Sequence, residues 1–157
     1  MEIVNIRAMI DSVINLIEPQ LTKELRRVHF SLPTHLSVRA DAARLRQVLV
    51  NISVNALKYS PPQTPLAFTA RSLLIDNRHI VIISISDIGK GITPQDQSRL
   101  FERFVRLESD INSEVRGSGL GLYISRRLIE AMDGKIWIES RGIPGEGSTF
   151  HLQLPMP

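Results

Sequence analysis

Asn51, Asn55 and Lys58 recur at i, i+4 and i+7, so they share one stripe of any helix that carries them. An asparagine amide oxygen is a hard, neutral ligand suited to Mg²⁺, and a lysine at the same edge offers a point charge to phosphate oxygens. Taken by themselves, the three read first as a solvated helix surface. Asp87-Ile88-Gly89-Lys90-Gly91 sets a carboxylate ahead of two glycines, residues that let the backbone turn sharply or approach a ligand closely. A carboxylate presents only acceptors and can take a hydrogen bond from the exocyclic amine of adenine, a donor that guanine lacks at the equivalent position. An Asp-Gly turn at a strand end is also a frequent structural device. Gly117-Ser118-Gly119-Leu120-Gly121 opens a helical pattern, and a glycine-rich helix start exposes backbone N–H groups to anions, although a plain helix start accounts for it equally well.

Two familiar phosphate motifs are excluded. Position 122 is leucine where G-x-G-x-x-G needs glycine, and Gly142 to Gly147 is followed by Ser148 where a P-loop needs lysine. The four histidines, at 29, 35, 79 and 151, have no metal-ligand spacing and no cysteine near them, so they read as structural or surface residues. No serine-histidine-acid arrangement can be argued.

These residues need elements to hold them. Apolar residues at Ile6, Met9, Ile10, Val13, Ile14, Leu16 and Ile17 predict an amphipathic helix over 6–23, followed or kinked by Pro19. Val28 to Leu32 and Leu36 to Ala40 predict two short strands around a turn at Pro33. Asp41 is an N-cap for a second helix, in which Leu45, Val48, Leu49, Ile52 and Ala56 repeat up to Ser60, before Pro61-Pro62. Leu66 to Ile75 and Ile80 to Ser86 predict long strands joined at Asp76-Asn77-Arg78, the second fully buried. From Asp87 to Gly121 periodicity fades, and the segment reads as a long loop that orders on demand and belongs to a ligand site. Leu120 to Met132 regains helical spacing and stops before Gly134. Lys135 to Glu139 and Ser148 to Leu154 close as strands.

The chain has 157 residues, the size of one compact domain with a substantial core. With 43% hydrophobic and 22% charged residues, disordered and low-complexity classes drop out. The longest apolar run, Ile80 to Ile83, is far too short to cross a bilayer, and Arg7, Asp11 and Glu18 break any signal-peptide pattern near Met1. The absence of cysteine excludes disulfides, thiolate metal sites and a cysteine nucleophile, and suits a cytoplasmic location. A net charge of +3 hints at an anionic ligand, but scattered arginine pairs with two tyrosines and one tryptophan give little footing for nucleic acid.

In order, these pieces closely resemble the catalytic, ATP-binding domain of bacterial two-component sensor histidine kinases, in the superfamily that includes gyrase, the Hsp90 chaperone and the MutL repair protein. DAARLRQVLVNISVNALKYS is similar to the N box of that family, DIGKG to its first glycine box, RLFERFVR to its F box and GSGLGLYISRRLIEAMDG to its second glycine box. GEGSTFHLQLP resembles its closing strand. The resemblance covers nearly the whole chain. It implies an α+β fold, a two-layer α/β sandwich of the Bergerat type, with a mixed, mostly antiparallel sheet of about five strands packed on three helices. The chain would be one domain over 1–157, with a nucleotide lid at about 94–119.

The resemblance also implies roles. Asn55 would ligate Mg²⁺, while Asn51, Lys58 and Tyr59 would line the phosphate side and Asp87 would hold the adenine amine. Gly89 and Gly91 would shape the pocket. Gly117, Gly119 and Gly121 would form the lid hinge and phosphate cradle, with Ile92, Ser118, Leu120 and Leu122 also against the nucleotide. Thr149 would support the adenine end, and Arg106 would reach a phosphate from the lid. Hydrolysing relatives carry a glutamate base where this chain has Asn51, and an amide cannot take a proton from water at neutral pH, which favours phosphoryl transfer over hydrolysis.

The implied cofactors are ATP or ADP and Mg²⁺, and the implied reaction is donation of the γ-phosphate to a histidine. In the family that histidine is followed by an acid and, a few residues on, a proline, on an upstream dimerising helix, and no histidine here has that context. The implied partners are therefore a dimerisation and histidine phosphotransfer domain, upstream in the full-length protein or met in trans, and then a response regulator. No contact with nucleic acid or membrane is implied for this domain itself, which would be monomeric in isolation and lie in the cytoplasm, including as the cytoplasmic part of a membrane sensor. An alternative is a nucleotide-binding regulatory module, of the anti-sigma-factor-kinase or degenerate-kinase type, that phosphorylates no histidine.

Overall fold

The first helix begins where Asn5, in extended conformation, accepts a hydrogen bond from the Ala8 amide at 3.0 Å. A computed structural model describes residues 1–102 and 121–157. Helix α1 (Ile6–Lys23) buries Ile6, Met9, Ile10, Val13, Ile17 and Leu21 along one stripe and runs on through Pro19, because Leu21 beyond it is anchored in the core. Asp41 caps α2 (Ala42–Lys58), accepting from the Arg44 amide at 3.1 Å, and Leu45, Val48, Leu49, Ile52 and Ala56 turn inward. A one-turn helix, α3 (Pro94–Gln97), and a longer one, α4 (Gly121–Glu130), complete the described helices. Helix α2 lies between α1 and α4 and against the sheet.

Strand β1 (Glu2–Asn5) pairs antiparallel with β3 (Ser37–Ala40) in a separate two-stranded ribbon. Among the described residues the main sheet has five strands: β2 (Val28–Ser31), β4 (Leu66–Ile75), β5 (Arg78–Asp87), β6 (Lys135–Glu139) and β7 (Ser148–Pro155). Their order is β2-β4-β5-β7-β6. Of these described strands only β2 and β4 run parallel, so the sheet is mixed and mostly antiparallel as expected. Both strands expected around Pro33 are present. The strands flanking Pro33 do not pair with each other: β2 joins the main sheet and β3 the ribbon, through the unforeseen β1.

Alternation decides what each strand buries. On β5, Val81, Ile83 and Ile85 join the core under the helices, as do Phe150, Leu152 and Leu154 on β7. The β4–β5 hairpin turns at Asp76 and Asn77, both with positive φ (50° and 61°), in the pattern that two-residue hairpin loops favour. The C-terminal turn of α4 is closed by Asp133, which takes the left-handed conformation (φ 58°) expected of a nearby glycine. Among the described residues no helix is long and apolar enough to cross a membrane.

Candidate functional site

The core stripe of α2 determines where its polar residues lie. With Ile52, Ala56 and Leu57 buried, Asn51, Asn55 and Lys58 fall at the half-buried border of the helix. Asn51 is held there: its amide nitrogen donates to Ser125 Oγ of α4 at 3.1 Å. Its carbonyl oxygen packs on Gly121, where an added Cβ would lie 2.6 Å away. Close packing between α2 and α4 thus requires glycine at 121. Ser125 is buried, and its role was missed, although its i+4 spacing from Gly121 puts it on the same face.

Strand β5 carries Asp87 to the sheet end, on the same face as Ile83 and Ile85. The carboxylate is buried and accepts two hydrogen bonds, from the Gly89 amide to Oδ1 and from Ser148 Oγ to Oδ2, each at 2.9 Å. Burial pushes its pKa above the ordinary carboxylate value, the bonds from Ser148 and Gly89 and the more distant charge of Arg26 opposing that rise. Gly89 then passes the end of α2 so closely that a Cβ would stand 2.2 Å from the Tyr59 carbonyl oxygen. Lys90 Nζ lies 5.4 Å from the centre of the Tyr59 ring. Gly91 (φ 75°) runs against Ser140, whose Oγ accepts from the Ile92 amide at 2.8 Å, and Ile92 itself is buried in the core.

Among the expected residues, the structure therefore joins Asp87, Gly89 and Tyr59 at one end of α2, with Lys90 over the tyrosine, and Asn51 with Gly121 nearer its middle. Leu122 packs on the core beside them. Thr149 lies off this cluster. Asp87 and Ser148 are register partners, as are Ser86 and Thr149, and Thr149 Oγ1 bonds Ser86 Oγ at 2.8 Å on the face turned away from the helices. The hydroxyl beside Asp87 belongs to Ser148. Phe150, Leu152 and Leu154 alternate inward, and extending that pattern back to Ser148 identifies it.

The loop expected from Asp87 onward is more ordered than its texture suggests. Thr93 caps α3 by accepting from the Asp96 amide, Gln97 donates to the carbonyls of Ile92 and Ser140, and Phe101 meets Phe150 edge-to-face at 6.4 Å. Residues 94–102, assigned to a lid, are thereby fastened to the core, where Leu100 is buried. Arg106, Gly117, Ser118, Gly119 and Leu120, with the rest of the expected lid over 103–119, lie outside the described residues.

The histidines stand apart from this cluster. His29 is on the edge strand β2, His35 in the β2–β3 connection and His79 at the start of β5. His151 faces away from the helices, with Nδ1 bonded to Ser84 Oγ at 2.7 Å and its ring stacked on Trp137 at 5.1 Å.

A family model described as histidine kinase-, DNA gyrase B- and HSP90-like ATPase matches residues 40–157. Sensor protein GacS of Pseudomonas syringae pv. syringae is 36% identical over 98% of this chain and 17% of its own length. Adaptive-response sensory kinase SasA of Synechococcus elongatus is 45% identical over 80% of this chain and 30% of its own length. The chain thus spans less than a third of either curated relative. The solved catalytic domain of histidine kinase ThkA superposes with a TM-score of 0.82 at 28% identity, covering 100% of both chains. ThkA solved in complex with the response regulator protein TrrA gives a TM-score of 0.80 at 26% identity, over 99% of this chain and 42% of that one.

Proposed function

Because this chain belongs to the family of histidine kinase-, DNA gyrase B- and HSP90-like ATPases, we propose that it binds Mg-ATP and donates the γ-phosphate to a histidine on a separate dimerisation domain. That domain would lie upstream in a full-length sensor kinase and would in turn serve a response regulator. The observation that carries the reading is the buried Asp87 carboxylate at the end of β5, next to a glycine turn seated on the end of α2. A buried carboxylate that, among the described residues, has no cation in its immediate bonds is expensive, and a donor on the ligand offsets that cost. The amine of adenine is such a donor; the carbonyl of guanine is not.

The residues present also fit a hard divalent cation. Among the described residues no three acidic or histidine side chains gather into a metal site. An ion here would take the amide oxygen of Asn55 and oxygens of the nucleotide itself, a ligand set suited to Mg²⁺. When bound it would neutralise phosphate charge. Lys58 would add a point charge from the same stripe, and the Asn51 amide, oriented by Ser125, offers no base to activate water. The arrangement therefore favours positioning and charge neutralisation for transfer, with slow hydrolysis.

The test is label incorporation from γ-labelled ATP. The chain by itself should bind nucleotide and stay unlabelled, because transfer needs the acceptor within about 3–3.5 Å in line with the leaving oxygen and its four histidines stand apart from the cluster. Adding a helical dimerisation domain with its histidine should restore weak transfer, limited by the low effective concentration of an untethered acceptor. Acid-labile label on the isolated chain would refute this division of labour.

A further inference from the structure

Sequence reading gave no role to the cation that holds the end of α2. The Arg26 guanidinium is wholly covered. Its Nη2 donates to the carbonyl oxygens of Leu57 and Ser60, both at 2.8 Å, and to Glu24 Oε1 at 2.9 Å. Its Nη1 donates to Ser60 Oγ at 2.6 Å and Thr64 Oγ1 at 3.3 Å. A helix leaves its last carbonyls without partners, and a cation at that end interacts favourably with the helix dipole. Here the two captured carbonyls bracket Lys58 and Tyr59, and the Tyr59 carbonyl is the atom on which Gly89 is seated.

The backbone bends to make this possible. Leu25, 70% exposed, takes the left-handed conformation (φ 53°) usual for glycine at a helix C-terminus. The turn closes with Leu25 N–H to the Thr22 carbonyl at 3.2 Å and Arg26 N–H to the Leu21 carbonyl at 2.9 Å, which swings the arginine inward. An unfavourable conformation is thus kept at a leucine that gains nothing from it.

We propose that Arg26 is a positioning residue of the nucleotide site, its guanidinium fixing residues 57–60 so that the Tyr59 carbonyl meets the Gly89 turn and Lys58 beside it is held in the geometry a nucleotide requires. The inference rests on the nucleotide-binding reading above. It predicts that affinity for ADP depends on Arg26 in protein that is fully folded. Arg26→Met keeps much of the side-chain volume and removes all five bonds. Arg26→Lys keeps a charge that reaches the two carbonyls but loses the fork. Ile10→Val removes a methyl group from the far core and provides a control for lost stability.

ADP affinity is measured by calorimetry below the melting transition of each variant. Arg26→Met should bind about tenfold or more weakly, Arg26→Lys should recover to within about threefold of the wild type, and Ile10→Val should match it. Wild-type affinity in folded Arg26→Met overturns the proposal, as does an equal loss in Ile10→Val. Should Arg26→Met not fold, Ser60→Ala, which removes one anchor together with the Ser60 Oγ bond to the Ala56 carbonyl and leaves the Leu57 and Ser60 carbonyls bonded to Arg26, is expected to weaken ADP about threefold; unchanged affinity there overturns the proposal. If the wild type itself binds no ADP, the nucleotide reading fails first and this one with it.

Discussion

Replacing Asp87 by asparagine changes one atom of the carboxylate, and the structure shows what that atom does. The amide oxygen can keep the Gly89 N–H on the Oδ1 side, and on the Oδ2 side the Ser148 hydroxyl can turn from donor to acceptor. Both internal contacts survive, so fold stability should move by no more than about 1 kcal/mol. In the proposed complex the charge-assisted hydrogen bond from the adenine amine would be lost, and such a bond contributes about 1.5–3 kcal/mol, so ADP affinity should fall about ten- to hundredfold. The wild type should prefer ATP to GTP for the same reason.

Acidity separates the two proteins further. Burial raises the Asp87 pKa above its ordinary 3.8, so the folded chain binds this proton more readily than the unfolded one. By linkage, the group favours folding below pH 3.8, and that contribution is lost as pH rises through the raised value. For binding, the ionised acceptor is needed, so wild-type affinity should fall on acidification at a pH above that of an exposed aspartate. Asp87→Asn should show no such step. Calorimetric titrations of ADP across mildly acidic to neutral pH decide it. Parallel profiles for the two proteins, or equal ATP and GTP affinity in the wild type, would refute the assignment of Asp87 to the base.

Asn55→Ala should abolish the tightening of ADP binding by Mg²⁺ while sparing binding in chelator; equal loss in both titrations would make Asn55 a packing residue. Gly89→Ala should lower the melting temperature sharply, since its methyl would meet backbone, the Tyr59 carbonyl oxygen, at 2.2 Å; about 2 kcal/mol or more is expected in a denaturant titration. Ser125→Ala should cost about 1 kcal/mol by leaving the Asn51 amide without its partner, read in the same titration. Leu49→Ala, at a fully buried position of α2, should cost about 2–5 kcal/mol, measured the same way.

Local signals were legible and long-range register was less so. The span of α1, the Asp41 cap, the Asp76-Asn77 turn and the strand end at Asp87 each follow from residues within a few positions of one another, and the structure has all four. The β1–β3 ribbon joins segments more than thirty residues apart, and nothing near Glu2 announces its partner. Thr149 and Ser148 differ by one position, which in a strand means opposite faces. Nothing in the residues around Arg26 announces its role, since its partners Leu57 and Ser60 are brought to it by tertiary structure.

Strand β5 is the middle strand of its sheet, paired along both edges and covered by the helices. Amides in such a strand exchange with solvent through global opening, whereas the turn after α2 can open by itself once the contacts of Arg26 are broken. The two ends of the proposed site would thus belong to units of different local stability. Asp87 stays in place as long as the domain stays folded, while Lys58 and Tyr59 depend on a smaller, separable unit. In a variant weakened at that turn, affinity should drop well before the preference for adenine over guanine changes, because the group proposed to read the base is attached to the last part of the protein to let go.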